Sequence, residues 1–227
     1  HMRDYITARY RGGYRELVPI PVGVDPVWVR GGDAAVGREL AGVGDAPILL
    51  SVGHVIPLRD RVGLVEALPA VLARHPDARL VVAGRVYYDV FLRRATELGV
   101  AYAVRPLGAV PKASIPHLLA AATLESHEQG DGMGTATLEA MAAGVPIVGW
   151  GRLDNFPGVP LHDGGEVLLT DRGDVVGLAQ RLLRVLDDPV EAQAVGARGR
   201  ALIDAHFTLD RVLDAHLATF SELLGRA

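Results

Sequence analysis

The sequence predicts an α/β protein: a single doubly wound parallel sheet of about six strands with helices on both faces. Three observations predict it. Short β-branched runs recur at Ile48–Gly53, Arg79–Gly84, Val145–Gly149 and Glu166–Thr170, with weaker ones at Tyr102–Leu107 and Ala122–Ser126. Helix-length patterns separate them at Val62–His75, Tyr88–Leu98, Lys112–Ala121, Thr135–Ala143 and Asp174–Leu186. The strand runs lack polar alternation, as strands buried on both faces do.

Taken in order, the chain opens on His1-Met2, which reads as a cloning scar and is set aside. Residues 3–45 do not share the strand–helix rhythm. Leu17–Pro26 is an extended strip broken by prolines, and Gly31–Asp45 is rich in Gly and Asp with one short helical possibility. This stretch reads as a linker from something upstream, and 46–227 as the domain proper. Strands joined through helix-length segments require right-handed crossovers and so a parallel sheet. Two further helices, Val190–Ala205 and Leu209–Gly225, close the chain, and Thr208 is placed to cap the last.

Composition bounds the function. At 227 residues and 49% hydrophobic, the chain can bury the core of one large domain. The net charge of −4, with both signs mixed, argues against a non-specific nucleic-acid binder. No apolar run is long enough to span a membrane. The absence of cysteine excludes disulfides and thiolate metal sites and fits a reducing cytoplasm. Lys112 is the only lysine, a bias that with the wealth of Ala, Gly and Val fits high-GC coding.

The chemistry concentrates in Gly130-Asp-Gly-Met-Gly-Thr-Ala-Thr-Leu-Glu-Ala-Met-Ala-Ala-Gly-Val-Pro-Ile-Val148. A glycine-broken turn enters a short alanine-rich helix, which Gly144 ends before a buried strand. A helix N-terminus offers unpaired N–H groups and partial positive charge, and so attracts phosphate. Gly132 and Gly134 are expected to take positive φ and let the backbone approach a ligand. Asp131 and Glu139 bracket the turn, with the reach to hold sugar hydroxyls on either side of a diphosphate. The residues alone also admit a plain surface turn with two solvated acids. A second element, Ser51-Val-Gly-His-Val-Ile-Pro-Leu-Arg-Asp60, leaves the first strong strand. It carries Gly53, His54 and Arg59 where a donor and a fixed charge can meet a pyrophosphate.

These segments, with Val18-Pro-Ile-Pro-Val-Gly-Val-Asp25, Leu80–Gly84, Arg105–Val110 and Asp163–Leu169, resemble in order and spacing the C-terminal, donor-binding domain of the retaining GT-B glycosyltransferases (family 4-like, "group 1"). The resemblance covers nearly the whole chain. It implies the Rossmann-like C-terminal half of a GT-B fold, and a hexosyl transfer from a nucleoside diphosphate sugar (UDP-, GDP- or ADP-) with retention. It implies no protein nucleophile, metal or other cofactor. By position, the first acid of the family's E-x7-E pattern, which holds the transferred sugar, falls on Asp131, and the ribose acid on Glu139. Turn amides that bind diphosphate and sugar fall on Gly132, Met133, Gly134 and Thr135. The basic pair facing the leaving diphosphate falls on His54 and Arg59, after Gly53. The base packs around Leu107–Val110.

The resemblance implies a missing N-terminal acceptor-binding domain, without which the excised domain is inactive. It also implies that Leu209–Gly225 crosses toward that domain or covers surface left bare. Any membrane contact would run through the missing half. Departures from the family are Asp131, one methylene short of Glu, and His54, which replaces a permanent cation. A longer run, Ser126–Gly130, also precedes the first acid. They leave open an inert nucleotide-sugar-binding module and a sugar-nucleotide epimerase. A dinucleotide oxidoreductase is disfavoured, because Gly130-Asp-Gly-Met-Gly lacks a third glycine and comes late in the chain.

Overall fold

The strands are β1 (Ile48–Val52), β2 (Arg79–Ala83), β3 (Val104–Gly108), β4 (Leu124–Glu128), β5 (Ile147–Trp150) and β6 (Leu168–Thr170). In the computed structural model, which describes residues 2–10, 17–59, 61–128, 134–153, 156 and 158–225, they form one sheet. Every pairing is parallel, and the order is β3-β2-β1-β4-β5-β6. Leu50 of β1 pairs with Val81 on one side and Glu125 on the other, so the chain reverses its direction of travel across the sheet at β1.

The helices are α1 (Met2–Arg9), α2 (Pro26–Arg30), α3 (Ala34–Ala41), α4 (Val62–Arg74), α5 (Val90–Glu97), α6 (Ile115–Ala121), α7 (Thr135–Ala143), α8 (Val175–Asp187), α9 (Pro189–His206) and α10 (Leu209–Gly225). Alternate strand residues feed two apolar layers, as the two-residue period of a strand requires. Leu49, Leu80 and Val82 pack with Leu64 and Leu68 of α4, Phe91 of α5 and Leu178 of α8. Ile48, Leu50, Val81 and Ala83 pack with Leu118 and Leu119 of α6, Met141 of α7 and Phe207. Both sides of the central strands are therefore buried, largely by apolar side chains with Ser51, Glu125 and Ser126 among them, which is why the strand sequences show no regular alternation.

Residues 17–45 are more ordered than their composition suggests. Asp25 caps α2, its Oδ1 accepting the N–H groups of Val27 at 3.0 Å and Trp28 at 3.1 Å. Asp33 caps α3 in the same way through the N–H of Ala35 at 2.8 Å. Two of the aspartates that read as loop residues are thus helix starts. Helix α3 lies so close to α6 that a Cβ on Gly37 would sit 1.9 Å from the carbonyl oxygen of His117. Upstream, the N–H of Val24 donates to Phe207 O at 2.9 Å, and the N–H of Leu209 donates to Val24 O at 2.8 Å. The proline-punctuated strip is stitched in this way to the junction of α9 and α10. At that junction Thr208 accepts the N–H of Arg211 at 3.4 Å, as expected of an N-cap.

Helix α10 covers little apolar surface itself. Only Val212 is buried on it, while Leu213, Leu217, Phe220 and Leu224 are exposed along its length. Among the described residues, no helix is long and apolar enough to cross a membrane.

Substituting Gly37 tests whether α3 is part of the cooperative unit. Alanine favours a helix by roughly 1 kcal/mol over glycine, but the new methyl meets rigid backbone of α6. Gly37→Ala should therefore lower stability by about 1–3 kcal/mol, read as a lower urea midpoint at unchanged slope. A stabilised or neutral variant would mean that α3 does not pack as described.

Candidate functional site

In an open parallel sheet, ligands gather beyond the carboxyl ends of the strands where the strand order reverses. Here that point lies between β1 and β4. The loop after β1 and the N-terminus of α7 flank it, and these are the two segments the sequence singles out.

The loop after β1 is held from below. Gly53 leaves the strand at φ 131°, a conformation open to glycine. Val55 is buried, anchoring the loop to the core, while His54 beside it is exposed. Arg59 and Ile56 exchange backbone hydrogen bonds, the N–H of Arg59 donating to Ile56 O at 2.8 Å. Beneath the loop, Arg61 is fully buried. Its guanidinium donates to the carbonyl oxygens of Arg59 at 2.9 Å and Gly53 at 3.4 Å, fixing both ends of the turn that carries His54 and Arg59. The side chain of Arg59 is half-buried and makes no ion pair with a carboxylate of the described residues.

On the other side, α7 starts at Thr135, as the sequence predicts. Gly134 takes the N-cap position with φ −95° and ψ −175°, and as glycine it brings no capping side chain to the helix start. The expected positive φ at Gly134 is thus not found: its backbone is extended, a conformation any residue adopts. What glycine leaves at this position is a helix N-terminus without a side-chain cap, whose amides can serve a ligand. Thr135 is exposed and Glu139 half-buried, and the four-residue spacing places them on one face of α7. Asp131, Gly132 and Met133 lie outside the described residues.

Burial raises the pKa of the Glu139 carboxyl above the ordinary 4.5, and the positive charge of Lys112 acts in the opposite direction. Lys112 is itself placed by α2, its ammonium lying 4.8 Å from the centroid of the Trp28 ring. Sequence reasoning did not assign this pair to the site. Lys112 stood out only as the lone lysine, and its proximity to Glu139 depends on helix packing. A second missed group is Arg85 and Tyr87, which meet His54 where the loops after β1 and β2 run together.

Further along the same edge, a cleft of about 480 Å³ opens at the ends of β5 and β6. Two of its acids are committed to the fold. Asp163 bonds Arg181 at 2.6 Å and the N–H of Leu169 at 2.9 Å, and Asp174 caps α8 through Gly177 at 2.8 Å. It is the sheet reversal, not this cleft, that gathers unspent donors. Among the described residues, no three His, Asp or Glu side chains are grouped as a metal ion requires.

Residues 38–202 match the family described as "Glycosyl transferases group 1". The chain belongs to that family. One relative in it is the GDP-mannose-dependent monoacylated alpha-(1-6)-phosphatidylinositol monomannoside mannosyltransferase of Corynebacterium glutamicum. It is 30% identical over 226 residues, covering 92% of this chain and 58% of the relative. Among solved structures, Anabaena HepE in complex with UDP and glucose superposes with a TM-score of 0.80 at 22% identity, over 93% of this chain and 59% of that one. The C-terminal domain of the group 1 glycosyl transferase LpcC from Francisella tularensis is matched over its whole length. It aligns with 82% of this chain at a TM-score of 0.69 and 18% identity. The sheet is that of the Rossmann-like half of a GT-B glycosyltransferase, and the chain spans little more than half the length of the mannosyltransferase relative.

The electrostatics of Glu139 carry a sign that can be measured. A carboxyl whose folded pKa is raised contributes stability that is fully present below its unfolded value, near 4.5, and lost as pH rises through the folded value. Glu139→Gln should therefore be more stable than the parent at pH 8, with the difference vanishing near pH 4. Urea unfolding at the two pH values checks it, and equal stabilities at pH 8 would count against a desolvated Glu139.

Proposed function

We propose that the chain is the donor-binding half of a retaining glycosyltransferase, which moves a hexosyl unit from a nucleoside diphosphate sugar to an acceptor hydroxyl. The observation that carries it is Glu139, a half-buried acid one turn into a helix with no side-chain cap, at the reversal of strand order. Buried acids are retained where they have work to do with a ligand or a partner charge. The ribose, with two vicinal hydroxyls, offers that partner.

In this reading the first-turn amides of α7, with Gly134 and Thr135, receive the diphosphate. Glu139 accepts from the ribose, and Arg59 and His54 at the exit of Gly53 meet the departing diphosphate. Asp131 takes the transferred sugar, with Gly132 and Met133 beside it, on the sequence pattern alone. The residues fit catalysis by charge stabilisation and orientation of the donor. Both GDP- and UDP-sugars are candidate donors: the Corynebacterium relative is named as GDP-mannose-dependent, and HepE holds UDP and glucose. Because the chain spans 58% of that relative, acceptor recognition is assigned to a further domain; the cysteine-free sequence fits a reaction in the cytoplasm.

A nucleotide-sugar-binding module without transfer activity is the second reading, favoured by histidine at position 54 and aspartate at 131. Combining Asp131→Glu with His54→Arg in the full-length protein separates the two. A large gain in transfer marks a decayed enzyme.

Calorimetric titration with GDP, UDP and ADP tests the main reading. The 227-residue chain should bind at least one of them without catalysing transfer, and turnover by this chain alone would overturn the half-site reading. Glu139→Ala should weaken the bound nucleotide about tenfold or more, the scale of hydrogen bonds to a charged acceptor. Ribose hydroxyls donate to the ionised acid, so parent affinity should rise as pH climbs through the raised value of Glu139 and then level off. Glu139→Gln should lack that rise.

A further inference from the structure

The loop that leaves β2 runs beside the loop that leaves β1, close enough that a Cβ on Gly84 would lie 2.1 Å from Gly53 O. The parallel ladder continues past both strands: the N–H of Val55 donates to Arg85 O, and that of Tyr87 to Val55 O, each at 3.0 Å. Three exposed side chains meet on this extension. The backbone N–H of Arg85 donates to Nδ1 of His54 at 3.3 Å. The Tyr87 ring stands edge-on to the imidazole, with centroids 5.7 Å apart. The Arg85 guanidinium lies 5.8 Å from the centre of the Tyr87 ring, with Nη1 3.4 Å from the phenol oxygen. Among the described residues, no carboxylate forms an ion pair with Arg85.

Two consequences follow from elementary chemistry. An imidazole nitrogen that accepts a hydrogen bond carries no hydrogen, so neutral His54 holds its hydrogen on Nε2. That nitrogen is a donor without being a cation. The guanidinium of Arg85, by contrast, is permanently charged, forked and steadied on an aromatic face. The N-terminus of α7 supplies only roughly half a positive charge. With Arg59 as the other fixed cation on the loop after β1, a diphosphate there would remain under-neutralised.

We propose that Arg85 is a further phosphate-binding residue of this site, acting beside the Nε2–H of His54, with Tyr87 as the platform that holds its guanidinium in place. Arg85 adds a fixed charge from the β2 loop to that of Arg59, and His54 of the β1 loop contributes a hydrogen-bond donor beside it. The proposal rests on the nucleotide-sugar reading of the same site.

Calorimetry on this chain tests it, with GDP and UDP each titrated against its monophosphate. Arg85→Gln should weaken the diphosphate that the parent binds about tenfold and its monophosphate about twofold or less. Arg85→Lys, which keeps the charge but not the fork, should fall between. Unchanged diphosphate affinity in Arg85→Gln overturns the proposal. So does an equal loss for mono- and diphosphate, because that is the mark of a residue that only knits the two loops. In ¹⁵N spectra of the neutral ring, His54 should show a protonated Nε2 and an unprotonated Nδ1, and the reverse tautomer removes the His54 half of the pair. Failure of the parent to bind either diphosphate overturns the donor reading itself, and this one with it.

Discussion

β1 is hydrogen-bonded in parallel to β2 on one edge and to β4 on the other, although β2 and β4 both follow it in the chain. This arrangement sends the loops after β1 and β2 and the chain entering α7 out of the same end of the sheet. With apolar layers covering both faces of the sheet, the strand ends are where polar groups can meet a ligand from solvent, while Ser51, Glu125 and Ser126 are buried within β1 and β4.

The electrostatics are arranged in layers. Arg61 is buried and donates to the carbonyl oxygens of Arg59 and Gly53, which shapes the loop. Arg59 and His54 ride on that loop. Across the reversal, an uncapped helix start adds a partial charge, and the half-buried Glu139 supplies an acceptor whose burial outweighs the field of Lys112. On the proposed reading, the arrangement sets donors around the phosphates of a nucleotide and an acceptor where its hydroxyls would lie.

Much of this was legible in the sequence, for physical reasons. Helices α7 and α10 begin and end where the pattern puts them, because glycine boundaries, a threonine cap and apolar periodicity all agree. The strands were legible because six short apolar runs have few other uses in a chain this rich in helices. Helices α2 and α3 were harder to see: they are short, and their aspartate caps look like loop residues until the helix is in place. At the site, Glu139 and the loop after β1 could be found from spacing. Arg85 could not, because its nearness to His54 is a product of sheet register across 31 residues of chain. Trp28 and Lys112 meet by helix packing, which leaves no local signal.

Glu139 also records the history of the chain. A half-buried acid whose charge the fold penalises is a standing cost, and mutation supplies cheaper residues at such a position continually. Selection for stability alone would remove it, whereas selection for a ligand that needs an ionised acceptor would keep it. On the proposed reading, the acid is the mark of a chain filtered by what it holds as well as by whether it folds.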